Sequence, residues 1–148
     1  MDRATSRPLP WLRAEFRHLL PLATRWRDND AYGHVNNVVY YEWFDTVVNE
    51  YLVGAGALDI ARSPVIGLAV HSQCDFFTAL AFPQAIEAAL RVAQIGRSSV
   101  RYEIAIFALG AASASAQGKF VHVYVDRISR RPEALPATLR IALERIAA

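Results

Sequence analysis

Residues 28–41 read D-N-D-A-Y-G-H-V-N-N-V-V-Y-Y, from Asp28 to Tyr41. Two regimes meet inside this stretch. Asp28-Asn29-Asp30-Ala31-Tyr32-Gly33-His34 is dense in residues that favour turns and left-handed backbone. Asn36 and Asn37 are both good helix N-caps. Beyond them, apolar residues recur at steps of three and four: Tyr40, Tyr41, Phe44, Val47, Val48 and Tyr51. Glu42, Asp45, Thr46, Asn49 and Glu50 take the other face. The spacing predicts an amphipathic helix of about four turns, stopped by Gly54 and Gly56.

On the N-terminal side, Phe16 to about Trp26 reads as an extended segment. Pro21 lies within it and removes a ladder donor, which suits a sheet edge. On the C-terminal side the period changes to two. In Val65–Phe76 the apolar residues Ile66, Leu68, Val70, Cys74 and Phe76 fall on even positions. In 85–94 they are Ile86, Ala88, Leu90 and Val92. Gly96 marks a tight turn into 98–108, where Val100, Tyr102, Ile104 and Ile106 alternate. In 119–127, Val121, Val123 and Val125 share one side, and Pro136 opens a short closing helix. Short connections between such strands predict an antiparallel sheet. One long helix against four or five antiparallel strands is an α+β layout, with the sheet wrapped around the helix.

The 148 residues predict one domain, residues 15–148, after a loose lead-in over 1–14. A net charge of only +2 gives no broad basic surface for nucleic acid. Cys74 is the only cysteine, so neither an intrachain disulfide nor a cysteine-based zinc site can form. His18, His34, His71 and His122 are scattered without metal-ligand spacing. The N-terminal residues are interrupted by charges and prolines where a secretory signal needs an apolar run. No apolar run is long enough to span a bilayer. The expectation is a cytoplasmic protein with no metal and no membrane or nucleic-acid partner.

Asp30 is a carboxylate in a turn just ahead of a helix N-terminus. The first N–H groups of a helix lack intrahelical partners and carry partial positive charge. They can hold an anion or the developing oxyanion of an acyl transfer, while a nearby carboxylate attacks the carbonyl or activates water. On residue types alone, a turn capped by an asparagine is the stronger account of the stretch.

The run Gly33-His34-Val35-Asn36-Asn37, preceded by Asp28-x-Asp30 and followed by Tyr40 and Tyr41, resembles the signature of hot-dog acyl-CoA thioesterases. It is similar to the 4-hydroxybenzoyl-CoA thioesterase family, and most to its long-chain acyl-CoA branch. The wider strand pattern extends the resemblance from Phe16 to about Ile146, including Arg131-Pro132 and Leu135-Pro136 before the last helix.

The resemblance implies a hot-dog fold and hydrolysis of an acyl-CoA to CoA and a free acid, without metal or cofactor. It places the catalytic carboxylate at Asp30, three residues before Gly33. Asn37 takes the position whose backbone N–H polarises the thioester carbonyl, and Gly33 permits the close turn between them. Whether Asp30 acts as nucleophile or base is left open. Asp28 reads as a turn-stabilising carboxylate and His34 as a loop residue that also stands near the substrate. Tyr32, with Tyr41 and Trp43, is a candidate wall of an acyl channel. Another hot-dog branch carries its carboxylate on the long helix, which makes Glu42, Asp45 and Glu50 the residues to compare. Arg97, Ser98 and Ser99, in the turn after Gly96, resemble the region that meets the nucleotide end of CoA. Arg130 and Arg131 are weaker candidates. The resemblance further implies a homodimer or homotetramer with sites at the subunit interface. The alternatives on the same fold are a thioesterase acting on acyl carrier protein and a non-catalytic acyl-CoA-binding protein.

Overall fold

The computed structural model describes residues 6–148. Strand β1, His18–Ala23, is followed by helix α1, Asn37–Gly54, and then by strands β2, Val65–Phe76, β3, Ala85–Ile95, β4, Ser99–Ala108, and β5, Ala116–Asp126. Helix α2, Ala137–Glu144, closes the chain. The five strands form one antiparallel sheet in the order β1-β3-β4-β5-β2. β1 and β2, which flank α1 in sequence, therefore lie on opposite borders of the sheet. Pro21 sits on the β1 border, where its missing N–H costs no central ladder bond. This is the hot-dog arrangement that the resemblance implies.

Helix α1 is seated on one face of the sheet. Its buried residues are Tyr40, Trp43, Phe44, Val47, Val48 and Leu52, and they meet Ile86, Leu90, Tyr102, Ile104, Ile106 and Phe120 from the three central strands. The stripe is rotated slightly from the sequence expectation. Trp43 is buried, Tyr41 is exposed and Tyr51 is half-buried. The two flanks of α1 differ in character. Toward β1, Glu42 pairs with Arg25 and Glu50 with His18. Toward β2 lie Val38, Tyr41, Asp45 and Asn49, three or four residues apart.

Two details of the sheet depart from simple alternation. In β5 it is Phe120, His122 and Tyr124 that are buried beside α1, sharing a face with Ala69 and Gly67. Val121 and Val123 are half-buried on the opposite face. Both sides of that strand carry strand-favouring residues, so the valine pattern alone does not choose the inner one. In β2 a bulge falls between Ala69 and His71. The inserted Val70 moves the even positions across the sheet: Leu68 stands away from α1, whereas Cys74 packs with the core and Phe76 stacks on Tyr40.

The opposite sheet face carries a smaller cluster, Phe16, Ala89, Ala105, Phe107 and Ala114, with Trp11 and Leu19 packed against it. Residues 1–5 of the expected lead-in lie outside the described residues. The remainder crosses this face. Trp11 N–H donates to Gln117 Oε1 at 2.6 Å, Arg91 lies 4.8 Å from the Trp11 ring centre, and Arg13 pairs with buried Glu87. No helix among the described residues is long and apolar enough to cross a membrane.

Candidate active site

Helix α1 begins with Asn36 as N-cap, its side-chain oxygen accepting from Val38 N–H at 3.1 Å. Val39 N–H bonds the Asn36 carbonyl at 2.9 Å. The N–H of Asn37, the first helical residue, has no acceptor among the described residues. Such a group is a ready donor to an oxyanion.

The loop before the helix is a tight hairpin. Asn36 N–H donates to Asp28 O at 2.8 Å, and Asp30 N–H to His34 O at 2.8 Å. Gly33 N–H closes the tip onto Asp30 O at 3.1 Å, with Gly33 at φ +82°. That left-handed backbone is the conformation glycine adopts without penalty. The half-buried Asp30 uses Oδ1 to accept from Tyr32 N–H at 2.8 Å, which fixes the carboxylate direction. Its Oδ2 has no partner among the described residues, so one oxygen is held and the other remains available.

Asp28 does different work. It is wholly buried, accepts from Arg25 N–H at 2.7 Å and from Arg25 Nε at 3.0 Å, and so ties the loop base together. Arg25 reaches on to Glu42, which joins loop and helix. Asn29 Oδ1 accepts from Phe82 N–H, and Val35 N–H bonds Leu80 O, which docks the loop on the chain between β2 and β3.

Beside the helix N-terminus is a cleft of about 210 Å³ between α1 and the end of β2, lined by His34, Asn37, Tyr40, Phe76 and Thr78 among others. Asp30 does not line this cleft. The Tyr32 side chain is exposed, as is His34. Tyr40 is buried against Trp43 and Phe76, and burial pushes its hydroxyl up to about 12. Tyr32 forms no channel wall within one chain.

Arg97 and Ser98 lie at the far end of the sheet, in the turn between β3 and β4, and Ser99 is the first residue of β4. That turn is separated from the helix N-terminus by the length of β4, about 30 Å at roughly 3.3 Å per residue. Its backbone is well tied: Ser99 O accepts from Gly96 N–H, Ser98 O from Tyr124 N–H and Arg97 O from Leu135 N–H. The Arg97 side chain is exposed, and so are Arg130 and Arg131 at the same end. The fold thus brings Asp30, Gly33, His34 and Asn37 together and leaves the basic turn apart from them.

Of the helix carboxylates, Glu42 is engaged by Arg25 in an ion pair and Glu50 by His18 in a hydrogen bond of 2.8 Å, both toward β1. Asp45 instead borders a second cavity on the β2 side with Asn49, Gly67, Ala69, His122 and Tyr124. The residue is exposed overall, yet partial burial of its carboxyl raises it above its ordinary value. The histidine of this cavity was not singled out by motif or spacing. Its one sequence signal is a polar residue between two aromatics at strand alternation, Phe120-x-His122-x-Tyr124. No group of three or more His, Cys, Asp or Glu residues suited to a metal ion occurs among the described residues.

The chain belongs to the Thioesterase-like superfamily, whose pattern matches residues 24–143. Among solved structures it is similar to the PA5185 protein of Pseudomonas aeruginosa strain PAO1, at 55% identity and a TM-score of 0.92, covering 95% of this chain and 98% of that one. The fold is shared with Slr0204, a 1,4-dihydroxy-2-naphthoyl-CoA thioesterase from Synechocystis, at 18% identity and a TM-score of 0.76, covering 84% and 93%. It is shared also with the DHNA-CoA thioesterase of Staphylococcus aureus, at 16% identity and a TM-score of 0.76, covering 86% and 89%. No curated protein matches the chain.

Proposed function

We propose that this chain is an acyl-CoA thioesterase, releasing a free carboxylic acid and CoA. The observation that carries the reading is the placing of Asp30, one carboxylate oxygen held, in the loop before the Asn37 N–H at the start of α1; neither the other oxygen nor that N–H has a partner among the described residues. The Asn37 N–H polarises the thioester carbonyl, and Asp30 attacks it or activates water. Water supplies the oxygen of the acid, the C–S bond breaks, and the thiolate takes a proton, so the reaction needs no cofactor. The motif at Asp30–Asn37 supports membership of the 4-hydroxybenzoyl-CoA thioesterase family in its long-chain branch, and a cytoplasmic setting fits CoA as donor.

The active unit is a homodimer, alone or doubled into a tetramer. Two features support this. β2 is a border strand with Leu68, Val70 and Phe76 exposed, a row of unpaired backbone groups with apolar side chains. A two-fold pairing of β2 with its copy would also turn the partner's basic β3–β4 turn toward this chain's helix N-terminus. Arg97, Ser98 and Ser99 then meet CoA phosphates in the neighbouring subunit's site, and Tyr32 and His34 become covered.

The test is thiol release from acyl-CoAs of short to long chain, with benzoyl-CoA and phenylacetyl-CoA, for wild type, Asp30→Asn and Asp30→Ala. The expected result is release by wild type and a loss of roughly 10²-fold or more in both variants. Binding without release by wild type would overturn the reading in favour of an acyl-CoA-binding protein. Release only from acyl carrier protein thioesters would change the donor.

A further inference from the structure

The cavity between α1 and the N-terminal half of β2 has a volume of about 300 Å³, within the lower range of small-molecule sites. Asp45 and Asn49 border it from the helix, Gly67 and Ala69 from β2, and His122 and Tyr124 from β5. One polar atom there is unsatisfied. His122 is 4% exposed and its Nε2 has no hydrogen-bond partner among the described residues. The hydroxyls of Tyr102 and Tyr124 lie 2.7 Å apart and satisfy each other. Buried polar groups are normally paired, and an imidazole without a partner in the wall of an open cavity marks where a ligand's polar atom belongs.

The backbone keeps this space. A Cβ on Gly67 would stand 3.0 Å from His122 Nδ1 and 3.1 Å from the Tyr124 ring, so any larger residue would press on both rings at the cavity wall. Burial lowers the His122 pKa to about 4, which leaves the ring neutral, able to donate from one nitrogen and accept at the other. Asp45 on the opposite wall disfavours an anion. A neutral hydroxyl, which both donates and accepts, fits this set.

Building on the thioesterase reading, we propose that this cavity is a hydrogen-bonding subsite for a hydroxyl carried at the far end of the substrate's acyl group, with His122 as its specificity residue. The cavity and the cleft at the helix N-terminus both lie in the furrow between α1 and β2. Asp45 is eight residues beyond Asn37, about 12 Å along the helix axis. The preferred acyl group is extended and carries its hydroxyl at that reach from the thioester carbon.

The experiment pairs decanoyl-CoA with 10-hydroxydecanoyl-CoA. Binding is measured by calorimetry on their non-hydrolysable thioether analogues and kcat/KM on the thioesters, for wild type, His122→Phe and His122→Gln. Wild type is expected to bind the hydroxylated analogue roughly tenfold more tightly, with a matching preference in kcat/KM. His122→Phe should abolish the preference, and His122→Gln should restore part of it. Equal binding of the two analogues by wild type, which needs no variant to fold, would overturn the proposal. So would a preference that survives in His122→Phe. A binding preference without hydrolysis would retire the thioesterase reading and leave the subsite standing, whereas hydrolysis without preference would do the reverse.

Discussion

Arg13 grips the buried carboxylate of Glu87 with two parallel hydrogen bonds, Nε to Oε1 at 3.1 Å and Nη2 to Oε2 at 2.8 Å, across 74 residues of sequence. Glu87 is 5% exposed and also accepts from Gly110 N–H. The Arg13 hydrogen bond lowers the Glu87 carboxyl below its ordinary value. Removing Arg13 strands a buried charge, while Glu87→Gln removes that charge and releases an arginine that already reaches solvent. Arg13→Ala should therefore lower the urea midpoint more than Glu87→Gln does. The sign with pH follows from the lowered carboxyl. The stabilisation is full above the unfolded value and is lost as pH falls through the folded one, so Arg13→Ala should flatten the acid limb of a stability-versus-pH curve.

His122 gives a second pH signature, independent of Glu87. Its folded pKa is lowered from 6.5 to about 4 by burial. Between those values the unfolded chain holds a proton that the folded chain does not, so stability falls as pH drops through this window. The full effect is roughly 3 kcal/mol, at about 1.4 kcal/mol per pH unit. Urea unfolding at pH 7 and pH 4.5 should show a smaller drop for His122→Gln than for wild type. Equal drops would mean that His122 gains a proton in the folded state.

Asn36 caps the helix that carries the proposed oxyanion donor. Asn36→Ala should cost about 1 kcal/mol of stability and lower kcat more than it raises KM, since a frayed first turn misplaces the Asn37 N–H. Unchanged kcat, with the stability loss confirmed by thermal unfolding, would remove Asn37 from the mechanism.

Val70 projects from the β2 bulge and is 59% exposed. On the dimer reading, Val70→Lys places a charge at the border between two copies. Light scattering should show a shift to monomer, with thiol release falling in parallel. A variant that remains dimeric would move the interface elsewhere.

The helix was legible because its three- and four-residue spacing, asparagine cap and glycine stop agree with one another. The order of strands was not, since period-two patterning names strands without pairing them. Two assignments within strands depended on packing that alternation does not encode. Val121 and Val123 obeyed the pattern yet point away from the helix, because Phe120 and Tyr124 offer larger surfaces to it. Val70 hid the bulge that exchanges the faces of β2. At the candidate site, Asp30, Gly33 and Asn37 were readable as a local motif. The cavity around His122 was not, for its walls come from residues 45, 67 and 122, which meet only in the folded chain.

The placement of the two border strands also sets the order in which the sheet can be built. β3, β4 and β5 are a meander of neighbours, whereas His18 must find Leu90, 72 residues away, and Val65 must find Asp126, 61 residues away. Contacts that close such long loops are slow to form. The meander is the natural nucleus, and the borders join it late, with α1 carried between them. In a pulsed hydrogen-exchange experiment the amides of β4 should gain protection before those of β1 and β2. The strand on which a second copy would dock is thus among the last to be completed.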